Sequence, residues 1–439
     1  MDIQTQENRE SDKRIIVIGG GAAGLMAAGR AAEFNIPITV VERMETPGNK
    51  LVITGKGRCN LTNNAPLREH LTAFGPNGKF LYGAFHRFFR NELLSFFHRY
   101  GIETKSERGG RIFPVSEKAT DIVAALVSHL NHNGGQLITG SRVTDIITHD
   151  KGVTGIRLSD GTEISAAAVI LAAGGASYPN TGSTGDGFEL AKKLGHKNSR
   201  LHPALVPLVL QEIEFARACQ GVSLKNVRLT SFTGDKAAIP NMTINHDYGR
   251  GTGYEKPPSP MIESRFGEML FTHFGIGGPI TLLMSQAVAQ TLDYSEVSVA
   301  IDLKPALTQH ELDLRLQREF AVNSKKQLPA ILKELLPSKM VLPVAALSGI
   351  DNHKTASTIT STERLNLVKL LKGLAFNVKN PLPLASAMVT AGGVELHEID
   401  PRTMSSKLIN GLYFAGEVLN LDADTGGYNL QAAFSTGWL

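Results

Sequence analysis

Residues 15–42 read IIVIGGGAAGLMAAGRAAEFNIPITVVE, and the fold is decided there. Ile15 to Ile18 is an unbroken β-branched run, the pattern of a parallel strand covered on both faces. Gly19, Gly21 and Gly24 follow as G-x-G-x-x-G. The first glycine makes the tight turn, the second admits a pyrophosphate to the backbone, and the third lets the helix pack close to the strand. Alanines at 22, 23, 27, 28, 31 and 32 keep that helix thin, Asn35 and Pro37 end it, and Ile38 to Val41 form the second strand. Glu42 lies roughly 20 residues beyond the glycines, where a carboxylate accepts hydrogen bonds from an adenosine ribose. A structural turn explains an isolated glycine fingerprint. Strand, fingerprint, small-residue helix, second strand and acid in this order predict a dinucleotide-binding βαβ unit.

Around this unit the chain runs to 439 residues, enough for two or three domains. Hydrophobic residues make 42% and charged residues 20%, ordinary values for a folded protein. No apolar run reaches the roughly 20 residues of a membrane helix, and MDIQTQENRESDKR lacks an apolar signal core, so a frayed lead-in and a cytoplasmic protein with no membrane span are expected. Cys59 and Cys219 are the only cysteines, which leaves no disulfide framework and no metal cluster. The net charge of +4 is compatible with RNA as a polyanionic partner, although scattered surface lysines explain it as well.

Beyond Glu42, the segment RMETPGNKLVITGKGRCNLTN (43–63) is rich in glycine and cations and is expected to run along the cofactor. Lys50, Lys56 and Arg58 bring charge toward phosphates, and Gly55 and Gly57 allow close approach to a flat ring. Cys59 has no nearby mate, so an internal disulfide cycle is disfavoured. Phe80 to Tyr100 and Ala119 to His132 carry helical periodicity. Between them Arg111 precedes an aromatic and a proline, either as a buried anchor for an anionic substrate or as half of a structural ion pair. Gly140 to Thr148 and Gly152 to Glu163 predict a β-meander, and Ala168 to Leu171 a strand ending in Ala173 and Gly174. Glycines at the carboxyl end of a parallel strand mark the ligand edge of an open α/β sheet.

Near the end of the sequence, GLYFAGE (411–417) predicts another strand that delivers Gly416 and Glu417 to the same edge. DADTGGYNLQ (422–431) opens a helix whose N-terminus would face the negative charge of a reduced cofactor ring; a structural glycine turn is the alternative. Between these halves, His202 to Leu210, Gly221 to Thr233, Phe266 to Thr272 and Val297 to Leu303 predict strands. Gly249 to Pro260 predicts a mobile loop. Thr308 and Glu311 form a capping box, and Leu312 to Phe320, Leu328 to Leu336 and Thr362 to Phe376 predict helices. In FTHFGIGGP (271–279), Thr272 and His273 are candidates for the substrate side, with a packing role for His273 as the competing reading. No second G-x-G-x-x-G follows a strand, so a nicotinamide donor has no domain of its own.

The G-x-G-x-x-G start, TGDG (184–187) and GLYFAGE followed by GGYN resemble flavoproteins with a fumarate-reductase-like FAD domain. GKGRCNLTN (55–63), GRIFP (110–114), FTHFGIGGP and the segment from Val389 to Gln431 resemble, over nearly the whole chain, a bacterial flavoprotein family long carried as conserved hypothetical. Its members are described variously as aminoacetone oxidases, reductases of unsaturated bile-acid intermediates, and enzymes reducing uridine in ribosomal RNA. The resemblance implies an FAD-dependent oxidoreductase. It implies FAD contacts at Gly19, Gly21, Ala22, Ala23, Gly24, Glu42, Arg43, Lys50, Gly57, Arg58, Cys59, Asn60, Val143, Ala173, Gly174, Gly416, Glu417, Gly427, Tyr428, Asn429, Leu430 and Gln431. The substrate clamp of fumarate reductases is not recognisable. The family continues where this sequence stops at Leu439, so a longer natural chain is expected.

The expectation is an α/β protein: a discontinuous Rossmann-like FAD-binding domain (1–200 and 386–439) and an inserted domain, β-rich and barrel-like over 201–304 and helical over 305–385. The expected activity moves a hydride between flavin and a small organic molecule, reducing an activated C=C bond, with NAD(P)H as a possible reductant. The alternatives are reduction of uridine in ribosomal RNA and a non-catalytic FAD-binding sensor. Cys59 and His273 are the candidate catalytic side chains, and Arg111, Thr272 and His273 the candidate substrate residues.

Overall fold

The computed structural model describes residues 14–240, 244–250 and 256–439; the lead-in before Arg14 and the centre of the expected loop Gly249 to Pro260 lie outside them. The chain divides into two compact units, one of residues 1–202 and 384–439 and the other of 203–383.

In the first unit, five strands among the described residues pair in parallel, in the order Leu412–Phe414, Ala168–Leu171, Ile15–Ile18, Ile38–Val41 and Gln136–Ile138. Ile18 lies level with Leu171 on one side and Val41 on the other, so the turns after these strands share one edge. Alternate side chains serve different cores. Ile16 and Ile18 pack with Val169, Phe188 and Phe414 on one face, whereas Val17 packs with Leu25, Met26 and Leu126 on the other. Burial on both faces is what the unbroken β-branched run predicts.

The helix Ala22–Ala32 rises from the glycine turn and packs against the helices Ala119–His132 and Tyr428–Trp438. Gly24 is required by that packing, because a Cβ there would lie 1.9 Å from the carbonyl oxygen of Gly19. The meander Val143–His149, Gly152–Leu158 and Glu163–Ser165 is antiparallel. A side sheet joins Thr62–Asn63, Arg111–Pro114 and Thr104–Ser106. The segment read as one helix from Phe80 to Tyr100 is two, Tyr82–Arg87 and Arg90–Arg99; the second starts where the Phe89 N–H donates to the Glu92 carboxylate.

The second unit is a closed barrel of Leu208–Leu210, Gly275–Gly277, Met261–Phe271, Ser223–Thr233, Val297–Asp302 and Leu374–Pro381. Helices that include Pro279–Thr291, Gln309–Val322 and Ser361–Lys372 cover it. Thr308 caps the second of these, with the reciprocal Glu311 bond the sequence predicts. The expected helix Thr362 to Phe376 is corrected: it ends at Gly373, and Leu374–Pro381 is a barrel strand paired with Val297–Ile301. Leu374, Phe376 and Val378 are buried at a period of two, a signal hidden by the leucine-rich helix before it.

Candidate functional site

A cleft of about 1390 Å³, its open mouth included, runs along the carboxyl edge of the parallel sheet. It is lined by Gly19, Gly21, Ala22, Ala23, Glu42, Arg43, Lys50, Val143, Ala173, Gly174, Gly416, Glu417, Asn429 and Leu430, which the structure thus brings together. Gly24 stands behind the turn as a packing residue. Gly57, Arg58, Cys59, Asn60, Gly427, Tyr428 and Gln431 are not among the lining residues.

The floor of the cleft is the start of helix Ala22–Ala32. Its N-cap, Gly21, is extended (φ −84°, ψ −170°) and makes no side-chain cap, and a Cβ on Gly21 would meet nothing within 4 Å. The first N–H groups of a helix have no intrahelical partner, so an uncapped start opening on a cleft suits a pyrophosphate. Glu42 stands beside it, 8% exposed. Its Oε2 accepts the Gly20 N–H at 2.7 Å and its Oε1 the Met44 N–H at 2.8 Å, which fixes the carboxylate and leaves each oxygen a lone pair for a ribose hydroxyl.

Two networks on the cleft wall are not deducible from local sequence. Lys50 Nζ donates to Glu417 Oε2 at 2.6 Å and to Ser177 Oγ at 2.7 Å, while Glu417 Oε1 accepts the Thr390 N–H at 2.9 Å. These bonds span up to 367 residues of chain, so only the fold reveals them. At the Glu42 end, Arg142 grips Asp186 through Nε (2.7 Å) and a terminal nitrogen (3.0 Å), and Arg43 reaches the same carboxylate at 3.1 Å. Burial pushes the Asp186 carboxyl up, but Arg142, Thr184 and Arg43 outweigh it and hold the group below its usual range. Asp186 is the acid of TGDG, so that motif carried a signal; Arg142 carried none.

The remaining candidates sit elsewhere. Arg58 is paired to Glu107 at 2.9 Å and lies over the Phe113 ring at 4.2 Å. Cys59 is fully buried and its thiol is pushed up to about 12, chiefly by burial, so it is held as the inert thiol. Gln431 is buried, accepting from Thr62 Oγ1 at 2.6 Å, and Tyr428 meets His70 edge-on at 4.8 Å. Arg111 corrects the expectation of a buried arginine: it is exposed, and its Nε donates to the Arg108 carbonyl at 3.1 Å. In the second unit Thr272 Oγ1 accepts the Gly275 N–H at 3.0 Å, a turn-forming bond, and His273 is exposed against Phe274.

The cleft fits FAD on this structure's own features: an uncapped helix start, a glycine with open space where a side chain would stand, and a carboxylate fixed by two backbone N–H groups. Among the described residues no helix is long and apolar enough to cross a membrane, and no group of three His, Cys, Asp or Glu could hold a metal.

Comparison with known proteins agrees. The family described as HI0933-like protein Rossmann domain matches residues 13–439. A Clostridium scindens protein named 3-dehydro-bile acid delta(4,6)-reductase is 32% identical, with 97% of each chain covered. Proteins named ribosomal RNA dihydrouridine synthase from Haemophilus influenzae and Escherichia coli are 30% and 26% identical, with 96% of each chain covered in both cases. The chain therefore belongs to the HI0933-like Rossmann family and is an FAD-dependent oxidoreductase.

Proposed function

We propose that the protein reduces a C=C bond conjugated to a carbonyl in an organic substrate. The observation that carries the flavin in this reading is the uncapped glycine turn at Gly21, lining the cleft together with a Glu42 carboxylate fixed by the Gly20 N–H. When bound, FAD supplies a hydride equivalent at one ring nitrogen. The choice of bond is supported by the relatives' names. A delta(4,6)-unsaturated 3-ketone and the 5,6-bond of uracil are both C=C bonds in conjugation with a carbonyl. One chemistry covers both: hydride to the β-carbon, or to the δ-carbon of a dienone, and a proton to a carbon of the resulting enolate.

In this reading the helix start at Gly21 binds the pyrophosphate and Glu42 the ribose. Lys50 and Glu417 are the ionisable cleft-lining groups away from Glu42, Arg43, Arg142 and Asp186. They hold the cofactor chain, and Lys50 Nζ carries exchangeable protons. Uridine in ribosomal RNA is the second reading, favoured by the 30% identical relative that bears that activity in its name. The test is product analysis. Enzyme given a conjugated steroid enone or a uridine-containing ribosomal RNA, with a chemical reductant, should yield a product heavier by two hydrogens. The Gly21→Val variant should yield none. No such product from either substrate class would reject the reading.

A further inference from the structure

Two exposed turns of the first unit carry cations that neither the cleft nor the core uses. In Gly55–Arg58, Lys56 and Gly57 are exposed and both have positive φ (61° and 85°). In Arg108–Arg111, Arg108, Gly109 and Arg111 are exposed, and Gly109 has φ 78°. A Cβ on Gly57 or on Gly109 would meet nothing within 4 Å, so both backbones are open. The turns adjoin across Phe113. The Arg58 guanidinium carbon lies 4.2 Å from that ring's centre, the Arg111 carbon 5.8 Å, and a Cβ on Gly55 would stand 3.1 Å from the ring edge.

Arg58 is neutralised by Glu107 at 2.9 Å and Glu117 at 3.6 Å. Lys56, Arg108 and Arg111 have no carboxylate partner among the described residues. Uncompensated cations beside side-chain-free backbone are what phosphate recognition needs. The place is connected to the cleft. Asn63 Nδ2 donates to the Gly109 carbonyl at 2.9 Å and the Gly426 carbonyl at 3.0 Å. Gly426 leads into the last helix, whose Asn429 and Leu430 line the cleft.

We infer that this pair of turns binds the phosphate groups of a dihydronicotinamide dinucleotide, the hydride donor that resupplies the enzyme. The inference rests on the FAD-reductase reading above. The exchange balances: the donor's ring hydride and one solvent proton move to the flavin, which is left two electrons reduced, and the donor leaves as oxidised nicotinamide. Three cations suit the few charges of a dinucleotide, whereas tight docking on a nucleic-acid backbone rests on neutralising many successive phosphates.

The experiment is anaerobic stopped-flow mixing of the FAD-loaded enzyme with NADPH and, separately, NADH, followed by loss of flavin absorbance. In the double variant Arg108→Glu, Arg111→Glu the donor concentration for half-maximal rate should rise by about tenfold or more, with the limiting rate, FAD content and melting temperature unchanged. Lys56→Ala should raise it less, and Arg108→Lys, Arg111→Lys should keep most of the affinity. Added salt should weaken donor binding in the wild type and much less in the charge-reversed variant. Unchanged half-saturation in that variant overturns the site, as does a wild-type flavin that neither donor bleaches. Loss of RNA gel retardation with unchanged donor kinetics also overturns it and gives the turns to an RNA backbone. Where either failure is accompanied by reduction of a conjugated enone by dithionite-reduced enzyme, the proposed function stands and this site alone is rejected.

Discussion

Glu42 Oε2 accepts the backbone N–H of Gly20 at 2.7 Å, so the residue that ends the second strand also shapes the turn that ends the first. Its second oxygen holds Met44. Glu42→Gln presents one carbonyl and one amide to two N–H donors, one buried and one part-buried, and one of them is left facing another donor. A destabilisation of about 1–3 kcal/mol is expected. FAD affinity should fall with it, measured by urea denaturation and by flavin retained on gel filtration. A variant with wild-type stability and flavin content would show that this carboxylate is incidental.

Gly21 and Gly24 should fail in different ways. Gly21 faces open space, so Gly21→Val is expected to fold normally and lose FAD. A Cβ on Gly24 would press on the Gly19 carbonyl at 1.9 Å, so Gly24→Ala should lower the melting temperature even without cofactor. Calorimetry of both proteins after flavin removal separates the two. Equal melting temperatures would contradict the packing role.

His70 should make the fold acid-sensitive. It is buried among Phe85, Phe89 and Tyr428, and its pKa is lowered from 6.5 to about 4, by burial first and then by Arg90, against a raising bond to the Asn63 carbonyl. The unfolded chain takes the proton near 6.5 and the folded chain resists it until about 4, so this stability is fully present above pH 6.5 and lost as pH falls toward 4. The gap corresponds to roughly 3 kcal/mol. His129 and His196 are lowered too, so His70→Leu should flatten the decline between pH 7 and 4.5 without abolishing it. Denaturant midpoints across that range test it, and an unchanged slope would refute it.

The start of the last helix should ease reduction of the cofactor. Asn429 and Leu430 line the cleft in its first turn. Gly427 is unsuited to a test, because its φ of 98° and a Cβ only 2.4 Å from the Thr62 carbonyl make any substitution a test of the turn. Leu430→Pro removes one N–H that has no intrahelical partner, at the third position of the first turn, and Leu430→Ala removes the side chain but keeps the N–H. A helix N-terminus is worth up to ~2 kcal/mol to a partly buried charge, which is tens of millivolts for a two-electron couple. The proline variant should show a midpoint lower by that amount and the alanine variant should not. Equal midpoints in a redox titration would make this helix end purely structural.

The first βαβ unit was legible because all its signals are local: a β-branched strand, glycines at fixed offsets and an acid at the end of the next strand. The wall of the cleft was not. Lys50 meets Glu417, and Arg142 meets Asp186, only because sheet order brings distant segments to one edge. In the loop from Gly55 to Asn60 the glycines and cations are the local signal, whereas the pairing of Arg58 with Glu107 and the burial of Cys59 are set by the fold. Leu374 to Phe376, the start of a barrel strand, were misread as helix because the alternating pattern continues a helical leucine run.

Reduction of C=C bonds conjugated to a carbonyl by the bound flavin is tested by anaerobic reoxidation of the photoreduced protein in a stopped-flow spectrometer. Conjugated enones, or uridine in ribosomal RNA, should restore oxidised flavin absorbance in proportion to saturated product. Isolated alkenes and saturated ketones should not. A flavin that stays reduced with every conjugated acceptor and reoxidises only with oxygen would exclude that reaction.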